Sequence, residues 1–188
     1  MKKITSLLML HSVLFLLINL HCFAQGHTTQ VSIVAEKSQG VPVSQAINKL
    51  IDAFKAKNIT VEKIGSLDEA RGNLIIVTGL SSGGGVAANL LKTANHLVPK
   101  VAEALTIWKT DWKKKPVWLI SGFDDRGLMY GLLDVADRVS WSTDSKAPMS
   151  EVEEITEKPD VRERAISIYT MNRAYWESRF YDLKYSFL

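Results

Sequence analysis

Residues 120–139 read ISGFDDRGLMYGLLDVADRV, and this stretch decides the fold because it joins a strand pattern to a helix pattern. Gly122 closes the strand. Asp124 or Asp125 then caps the helix by accepting hydrogen bonds from its free backbone N–H groups. Apolar residues at helical spacing predict the buried face of that helix. These residues are Met129, Leu132, Leu133, Ala136 and Val139.

Upstream of this stretch, short β-branched runs alternate with helical apolar patterns. The polar residues 110–115 suit a hairpin turn, with the basic run Lys113, Lys114 and Lys115 at a solvated tip. The order of elements predicts an α/β fold (α+β, two layers), in which helices lie mainly on one face of a mixed β-sheet. Strands are predicted at residues 31–35, 59–64, 73–78, 104–109 and 116–121, and helices at residues 43–54 and 86–96.

Composition changes after Trp141, where the chain becomes rich in Ser, Glu, Lys and Pro. We interpret residues 142–160 as a linker or a crossing segment. Residues 161–171 return to a strand pattern, and the remaining residues are aromatic and charged. Because one strand cannot bury these side chains, we expect residues 161–188 either to dock back on the domain or to face structure that this chain lacks. The module itself is expected to occupy residues 25–141.

The N-terminus has the pattern of a secretory signal peptide over residues 1–24. Lys2 and Lys3 precede an apolar run, and Ala24 provides a small residue at the cleavage site. We therefore expect a periplasmic or secreted protein. An uncleaved membrane anchor and lipidation at Cys22 are the alternatives. Cys22 is the single cysteine, so a cleaved chain has no thiol for a disulfide, a metal or nucleophilic catalysis.

The charge of the chain is nearly balanced, with 23 basic and 20 acidic residues. Two of the lysines lie in the expected signal. Nucleic-acid binding requires a clustered basic surface, and the sequence has only one short basic run. We therefore expect no nucleic-acid partner.

A glycine-serine loop at residues 79–85 follows a predicted strand and precedes a predicted helix. Helix N-termini attract phosphate, which makes nucleotide binding a hypothesis to weigh. The glycine spacing matches neither a dinucleotide fingerprint nor a P-loop. A flexible or ligand-contacting loop is the favoured interpretation.

Motifs for catalysis and metal binding are weak. The histidines form no ligand pattern, so we expect no metal and no cofactor. Ser81 and Ser82 lack a partner base, and adjacent Asp124 and Asp125 suit helix capping better than acid–base chemistry. The glutamates of the predicted linker are interpreted as solvated. They are Glu151, Glu153, Glu154 and Glu157.

The stretch quoted first resembles a Gly-x-Asp-x-Arg-Gly-x-x-Tyr-Gly signature, which is matched here by Gly122, Asp124, Arg126, Gly127 and Tyr130. The signature belongs to the small α/β domain (hexosaminidase domain 2-like) that precedes the catalytic barrel in glycoside hydrolases such as α-glucuronidases and β-N-acetylhexosaminidases. In physical terms, the glycines permit a tight passage, the aspartates cap the helix, and Tyr130 is expected to reach back to the sheet.

Residues 159–169, PDVRERAISIY, are similar to the start of the first barrel strand in these families. The resemblance implies that Arg164 contacts a sugar, and Asn172 lies near the end of that strand, where barrel active sites sit. The catalytic acids of the families come from later strands. We therefore expect no catalytic residue in this chain and an incomplete barrel at residues 161–188.

The leading hypothesis is an accessory N-terminal domain of an exported glycoside hydrolase, active in polysaccharide degradation only with its barrel and itself inactive. Carbohydrate is the partner that the resemblance implies. The alternative is a stand-alone module that binds glycans or docks on a protein through residues 161–188. A third hypothesis is phosphate or nucleotide binding at the glycine-serine loop. Possible sugar-stacking faces, unless they are core, are offered by Trp108, Trp112, Trp118 and Trp141.

Overall fold

The computed structural model describes residues 30–36 and 39–161. The strands are β1 (Gln30–Ala35), β2 (Thr60–Ile64), β3 (Leu74–Leu80), β4 (Leu105–Trp112), β5 (Lys115–Gly122) and β6 (Ile155–Glu157). The helices are α1 (Val41–Lys55), α2 (Val86–Thr93) and α3 (Asp125–Trp141), with a 3₁₀ turn at Leu67–Glu69.

The six strands form one mixed sheet in the order β2-β1-β3-β5-β4-β6. The first four strands in this order, β2, β1, β3 and β5, all run parallel to one another. Strand β4 runs antiparallel to both β5 and β6. This arrangement confirms the predicted fold class.

Both faces of the sheet are covered by helices. Successive side chains of a strand point to opposite faces, and the central strands carry apolar side chains on both of them. Helices α1 and α3 pack on one face, against Ile33, Ile76 and Ile120. Helix α2 packs on the other face, against Ile75 and Val77. The prediction that helices lie mainly on one face is therefore confirmed, with α2 as the exception. Each fully buried aliphatic side chain contributes about 1.5–3 kcal/mol to folding.

The helix ends follow from local sequence. Pro42 sits in the first turn of α1, where a missing N–H costs nothing. Asn58 has a positive φ of 60° and turns the chain toward β2. Helix α2 is shorter than predicted, because Asn95 has a φ of 54° and ends the helical path before residue 96.

The buried face of α3 differs by part of a turn from the prediction. Leu128 and Val135 are fully buried, whereas Met129 and Leu133 are only partly buried. The predicted residues Leu132, Ala136 and Val139 are buried as expected. The shift arises because Gly131 lies against the sheet, next to Ile120. The residues on the same side of α3 as Gly131 are therefore the buried ones.

The hairpin is longer than predicted. Its two strands continue through Trp112 and Lys115, and only Lys113 and Lys114 make the turn. Both turn residues have positive φ, 47° and 65°, as a two-residue hairpin turn requires. Lys113 is exposed and pairs with Asp68 at 2.8 Å, so the basic run does mark a solvated tip.

Part of residues 142–160, the stretch interpreted as a linker or crossing segment, is ordered and packs on the sheet. Residues 155–157 form β6 on the open edge of β4, and Met149 and Val152 are buried against the main core. Thr106 of β4 donates a hydrogen bond from its hydroxyl to the Ile155 carbonyl at 3.0 Å. Strand β6 therefore forms because it pairs with the free edge of β4, although its own residues are mostly polar and show no strand pattern.

The chain divides into two compact units, Met1–Lys158 and Pro159–Leu188. The expected signal at residues 1–24 lies outside the described residues, and of residues 161–188 only Val161 is described. Within the described ranges, no helix has the length and apolar content needed to cross a membrane.

Candidate functional site

Three parallel strands, β1, β3 and β5, end at the same edge of the sheet, which we call the carboxyl edge. The chain leaves β1 and β5 toward the face that carries α1 and α3. It leaves β3 toward the opposite face, which carries α2. Ligands of open α/β sheets bind where neighbouring connections diverge in this way. The carboxyl edge is therefore the candidate functional site.

The passage from β5 into α3 contains the signature glycines, and both are tightly enclosed. A Cβ atom on Gly122 would lie 2.1 Å from the backbone nitrogen of Leu128. A Cβ atom on Gly127 would lie 2.3 Å from the carbonyl oxygen of Ala104. Because these neighbours are backbone atoms, they cannot move aside cheaply. The two positions require glycine for close packing.

Asp124 ties this passage together through both oxygens of its carboxylate. Oδ1 accepts a hydrogen bond from the Gly127 N–H at 2.8 Å, which caps α3 as predicted. Oδ2 accepts one from the Glu103 N–H at 3.1 Å, which holds the segment before β4. Arg126 pairs with Glu103 at 2.7 Å. We call Gly122, Asp124, Arg126 and Gly127 the closed joint.

Asp125 and Tyr130 belong to the same stretch of sequence but lie outside the closed joint. Asp125 lies in the first turn of α3, beside Asp124, so the two carboxylates do not face each other across a ligand. Tyr130 is 40% exposed. The neighbouring Gly131 makes the close approach to the sheet, where an added Cβ would meet Ile120 at 3.1 Å.

The passage from β3 into α2 is open by comparison. Strand β3 runs through Leu80, so Gly79 lies within the strand. No atom would lie within 4 Å of a Cβ on Gly83 or Gly84. Gly83 has a φ of 98°, a conformation that side-chain-bearing residues rarely adopt. Gly85 begins α2 without a side-chain cap. We call residues 81–84 the open loop.

A carboxylate that sequence reasoning missed sits beside the open loop. Glu36 follows β1, and its Oε1 occupies the space where Cβ atoms on Gly79 and Gly85 would lie. That oxygen is buried without a hydrogen-bond partner, as is the side-chain nitrogen of Gln39. Burial raises the pKa of the Glu36 carboxyl above 4.5. A glutamate directly after a buried strand was the available sequence signal.

A cavity of about 440 Å³ lies between α2, the open loop and Phe123. Its floor is apolar and includes the buried residues Ala88 and Leu91. Its polar lining residues include two lysines and no acidic residue. These polar residues are Ser81, Ser82, Lys92, Asn95, His96 and Lys100.

One wall of this cavity is held in place by His96. Its ring stacks on Trp108 with centroids 4.5 Å apart and an 18° angle between planes. Its Nε2 lies 3.1 Å from the Thr106 hydroxyl and 3.2 Å from the Thr156 hydroxyl. This network joins β4, β6 and the segment after α2. His96 therefore has structural partners, although no role was predicted for it from the sequence.

The tryptophans named as sugar-stacking candidates divide between core and surface. Trp118 is 8% exposed and packs in the core below α3. Trp108 and Trp112 are half-buried on the α2 face, and Lys113 lies 4.4 Å over the Trp112 ring. Trp141, at the end of α3, is 66% exposed. Only Trp141 of these four presents most of its surface to solvent.

The remaining predicted residues are accounted for as follows. In residues 30–36 and 39–161, no three His, Cys, Asp or Glu side chains are grouped to hold a metal ion. Glu154 accepts a hydrogen bond from the Lys109 N–H at 2.6 Å, so it is not simply solvated. Arg164 and Asn172, the tentative sugar contacts, lie outside the described residues.

Comparison with known proteins gives only distant similarity. No family model matches the sequence, and no curated protein matches it. Among solved structures, the chain is similar to a GH138 enzyme targeting pectin rhamnogalacturonan II, with 16% identity and a TM-score of 0.46 over 71% of this chain. It is also similar to CpGH84D, with 14% identity and a TM-score of 0.48 over 68% of this chain.

Both of these distant neighbours are glycoside hydrolases. This chain spans 16% of the length of the first and 19% of the length of the second. Similarity this low and partial describes a likeness of fold and says nothing about what this chain binds or catalyses.

Proposed function

We propose that the module that begins near residue 25 and includes β6 is an accessory domain of an exported glycoside hydrolase that degrades polysaccharide. The signature that resembles the domain preceding the barrel in such enzymes supports this proposal. The signal-like pattern of residues 1–24 supports export to the periplasm or the medium. In this proposal the domain supports a catalytic barrel and does not itself cleave a glycosidic bond.

The observation that carries the proposal is the closed joint. The four signature positions of the closed joint are engaged with neighbouring backbone or with Glu103, whereas Tyr130 is partly exposed. A signature whose residues hold strand, helix and preceding segment together serves the fold. Such residues are not free to move protons on a substrate.

Glycosidases place two carboxyl groups about 5–9.5 Å apart on either side of the bond that they cleave. The described acidic residues nearest to cavities do not meet that requirement. Asp124 and Asp125 are neighbours in sequence on one helix end, and Asp124 is committed to two backbone N–H groups. Glu36 lies against glycine backbone with its Oε1 buried.

Expression of the full chain followed by cell fractionation tests export. We expect the protein outside the cytoplasm, with Gln25 as its first residue by N-terminal sequencing. Retention in the cytoplasm with Met1 intact would contradict the proposal.

Incubation of the purified mature chain with a panel of aryl-glycosides tests the absence of catalysis. We expect release of the aryl group at the rate of the buffer blank. Hydrolysis that disappears in an Asp125→Asn variant would overturn the proposal, because it would identify a catalytic acid in the domain. Hydrolysis that persists in this variant and copurifies with the protein would do the same.

A further inference from the structure

We propose that the 440 Å³ cavity beside α2 binds a small polyhydroxylated carboxylate, either a free sugar acid or a uronic acid residue of a polysaccharide. The cavity lies at the carboxyl edge, where the connections after β3 and β5 leave toward opposite faces. Its volume falls within the range of small-molecule sites. The cavity adjoins the closed joint, because the Ser81 N–H donates to the Gly122 carbonyl at 2.8 Å, but none of the four residues that define the joint lines the cavity.

The charge of the lining selects an anion. Lys92 and Lys100 line the cavity, and neither makes an ion pair with any described residue. No Asp or Glu lines the cavity. By contrast, the 510 Å³ cavity at the start of α3 is lined by Asp124, Asp125 and Arg126, and Arg126 is already paired with Glu103, so the charge of this lining does not favour a carboxylate. The lining of the α2 cavity therefore attracts an anion. The 490 Å³ cavity beside Trp118 also contains two lysines, Lys109 and Lys146, and no acidic residue, so the lysine variants described below test which of the two cavities binds the ligand.

The uncharged polar groups select a ligand with hydroxyls. The side chains of Ser81, Ser82 and Asn95 hydrogen-bond to no other residue among those described, so their donors and acceptors are open to a ligand. Hydroxyl and amide side chains exchange hydrogen bonds with alcohols in either direction. Each hydrogen bond to a sugar hydroxyl helps to fix the orientation of a ligand that the lysines attract.

The floor of the cavity fits the apolar face of a sugar ring. Leu91 and Ala88 form a buried floor, with Val98 and Phe123 beside them. The stacking of His96 on Trp108 fixes the adjoining wall before any ligand arrives. A wall that is already ordered lowers the entropy cost of binding.

The residues at the start of α2 are not part of the cavity lining. The cavity is lined by Ala88, Leu91 and Lys92 of α2, by Ser81 and Ser82 before the helix and by the segment after it, whereas residues 83–87 are absent from the lining. Phosphate sites use the N–H groups at the start of a helix. Because the helix-start N–H groups are not used here, an anion in this cavity is held by the two lysines together with their hydroxyl and amide neighbours, and phosphate serves as the competing anion in the test below.

Isothermal titration calorimetry on the mature chain tests the proposal with four ligands: galacturonate, trigalacturonate, galactose and inorganic phosphate. We expect galacturonate to bind with a Kd of about 1 mM or tighter, and galactose and phosphate to bind at least about tenfold more weakly. Added salt should weaken galacturonate binding. Tighter binding of trigalacturonate identifies a polysaccharide as the source, and equal or weaker binding identifies the free sugar acid.

The matched variants are Lys92→Gln with Lys100→Gln, compared with Lys146→Gln, a lysine in a different cavity. The double variant should lose about tenfold or more in affinity, because each charged hydrogen bond to the carboxylate is removed. The Lys146 variant should bind as the original chain does. All three lysines are exposed, so the far-UV spectrum and Tm should stay unchanged.

Three results would overturn the proposal: no binding of galacturonate, binding of galactose as tight as that of galacturonate, or equal affinity in the double variant. These results do not depend on the accessory role proposed above, because export and turnover are measured separately.

Discussion

The chain segments that follow β3 and β5 both leave the carboxyl edge of the sheet and both contain several glycines, but the space around those glycines differs. In the closed joint, backbone atoms lie where a Cβ on Gly122 or Gly127 would be. In the open loop, Gly83 and Gly84 have no neighbour within 4 Å of that position. The polar groups differ in the same way, since Asp124 is fully engaged and Ser82 has no partner among the described residues.

This difference shows that glycine has two physical uses at one edge of a sheet. In the closed joint it allows backbone to approach backbone. In the open loop it keeps side chains away from a surface and permits the positive φ of Gly83. The first use builds the fold, and the second leaves space beside the cavity.

The largest effect is expected from Gly122→Ala. The new methyl group would collide with the Leu128 backbone nitrogen, so the passage must shift and the free energy of unfolding should fall by about 3 kcal/mol or more. Gly84→Ala is the matched control and should change it by less than about 1 kcal/mol. Urea denaturation measures both. Equal losses in the two variants would remove the distinction between the passages.

A smaller loss is expected from Asp124→Ala, which removes the cap of α3 and the hydrogen bond to the Glu103 N–H. The free energy of unfolding should fall by about 2 kcal/mol. Asp125→Ala, at the next position, should cost less than about 0.5 kcal/mol, because only the favourable charge at the helix start is lost. Thermal and urea denaturation of the pair would rank them, and the reverse ranking contradicts the assignment of the cap.

The pH dependence of stability tests the environment of Glu36, which lies beside the passage from β3 into α2. Its raised pKa means that the folded state holds the proton more tightly than the unfolded chain does, so stability falls as pH rises from 4.5 through the folded pKa. Glu36→Gln removes that loss. We expect the variant to gain stability relative to the original chain at neutral pH, with the difference vanishing below pH 4.5.

Glu62 provides a control of opposite sign. The buried Ser32 hydroxyl donates to its carboxylate and the Arg71 N–H donates at 2.9 Å, and these bonds lower the pKa of Glu62 below 4.5. Its contribution to stability is therefore present above pH 4.5 and is lost as pH falls through the folded pKa. Glu62→Gln should destabilise at neutral pH. If the stability difference from the original chain changed with pH in the same direction for both variants, the opposite environments assigned to Glu36 and Glu62 would be contradicted.

Much of the fold could be predicted because its strands and helices carry their own patterns. Buried β-branched runs such as residues 31–35 and 73–78 identified the central strands, and the aspartate before α3 identified its cap. Strand β6 could not be found in this way. Its residues are short and polar, and their pairing depends on the open edge of β4 and on Thr106.

The candidate site was less predictable because it depends on which face each helix covers. The sequence indicates that α2 is amphipathic but not that it crosses to the face opposite α1 and α3. Only that crossing brings Ser81 and Lys100 to one cavity and places Glu36 over Gly85. The signal peptide, Arg164 and Asn172 stay predictions, because they lie outside the described residues.

Native-state amide hydrogen exchange tests the contrast between the two passages most directly, since it reads both in one unmodified protein. The Glu103, Phe123 and Gly127 N–H groups donate to Asp124 or to Ala104, and we expect them to exchange only through global unfolding. The Gly83 and Gly84 N–H groups have no described acceptor and should exchange at nearly the rate of an unstructured peptide. Fast exchange at Gly127 together with slow exchange at Gly84 would contradict the assignment of a closed joint and an open loop.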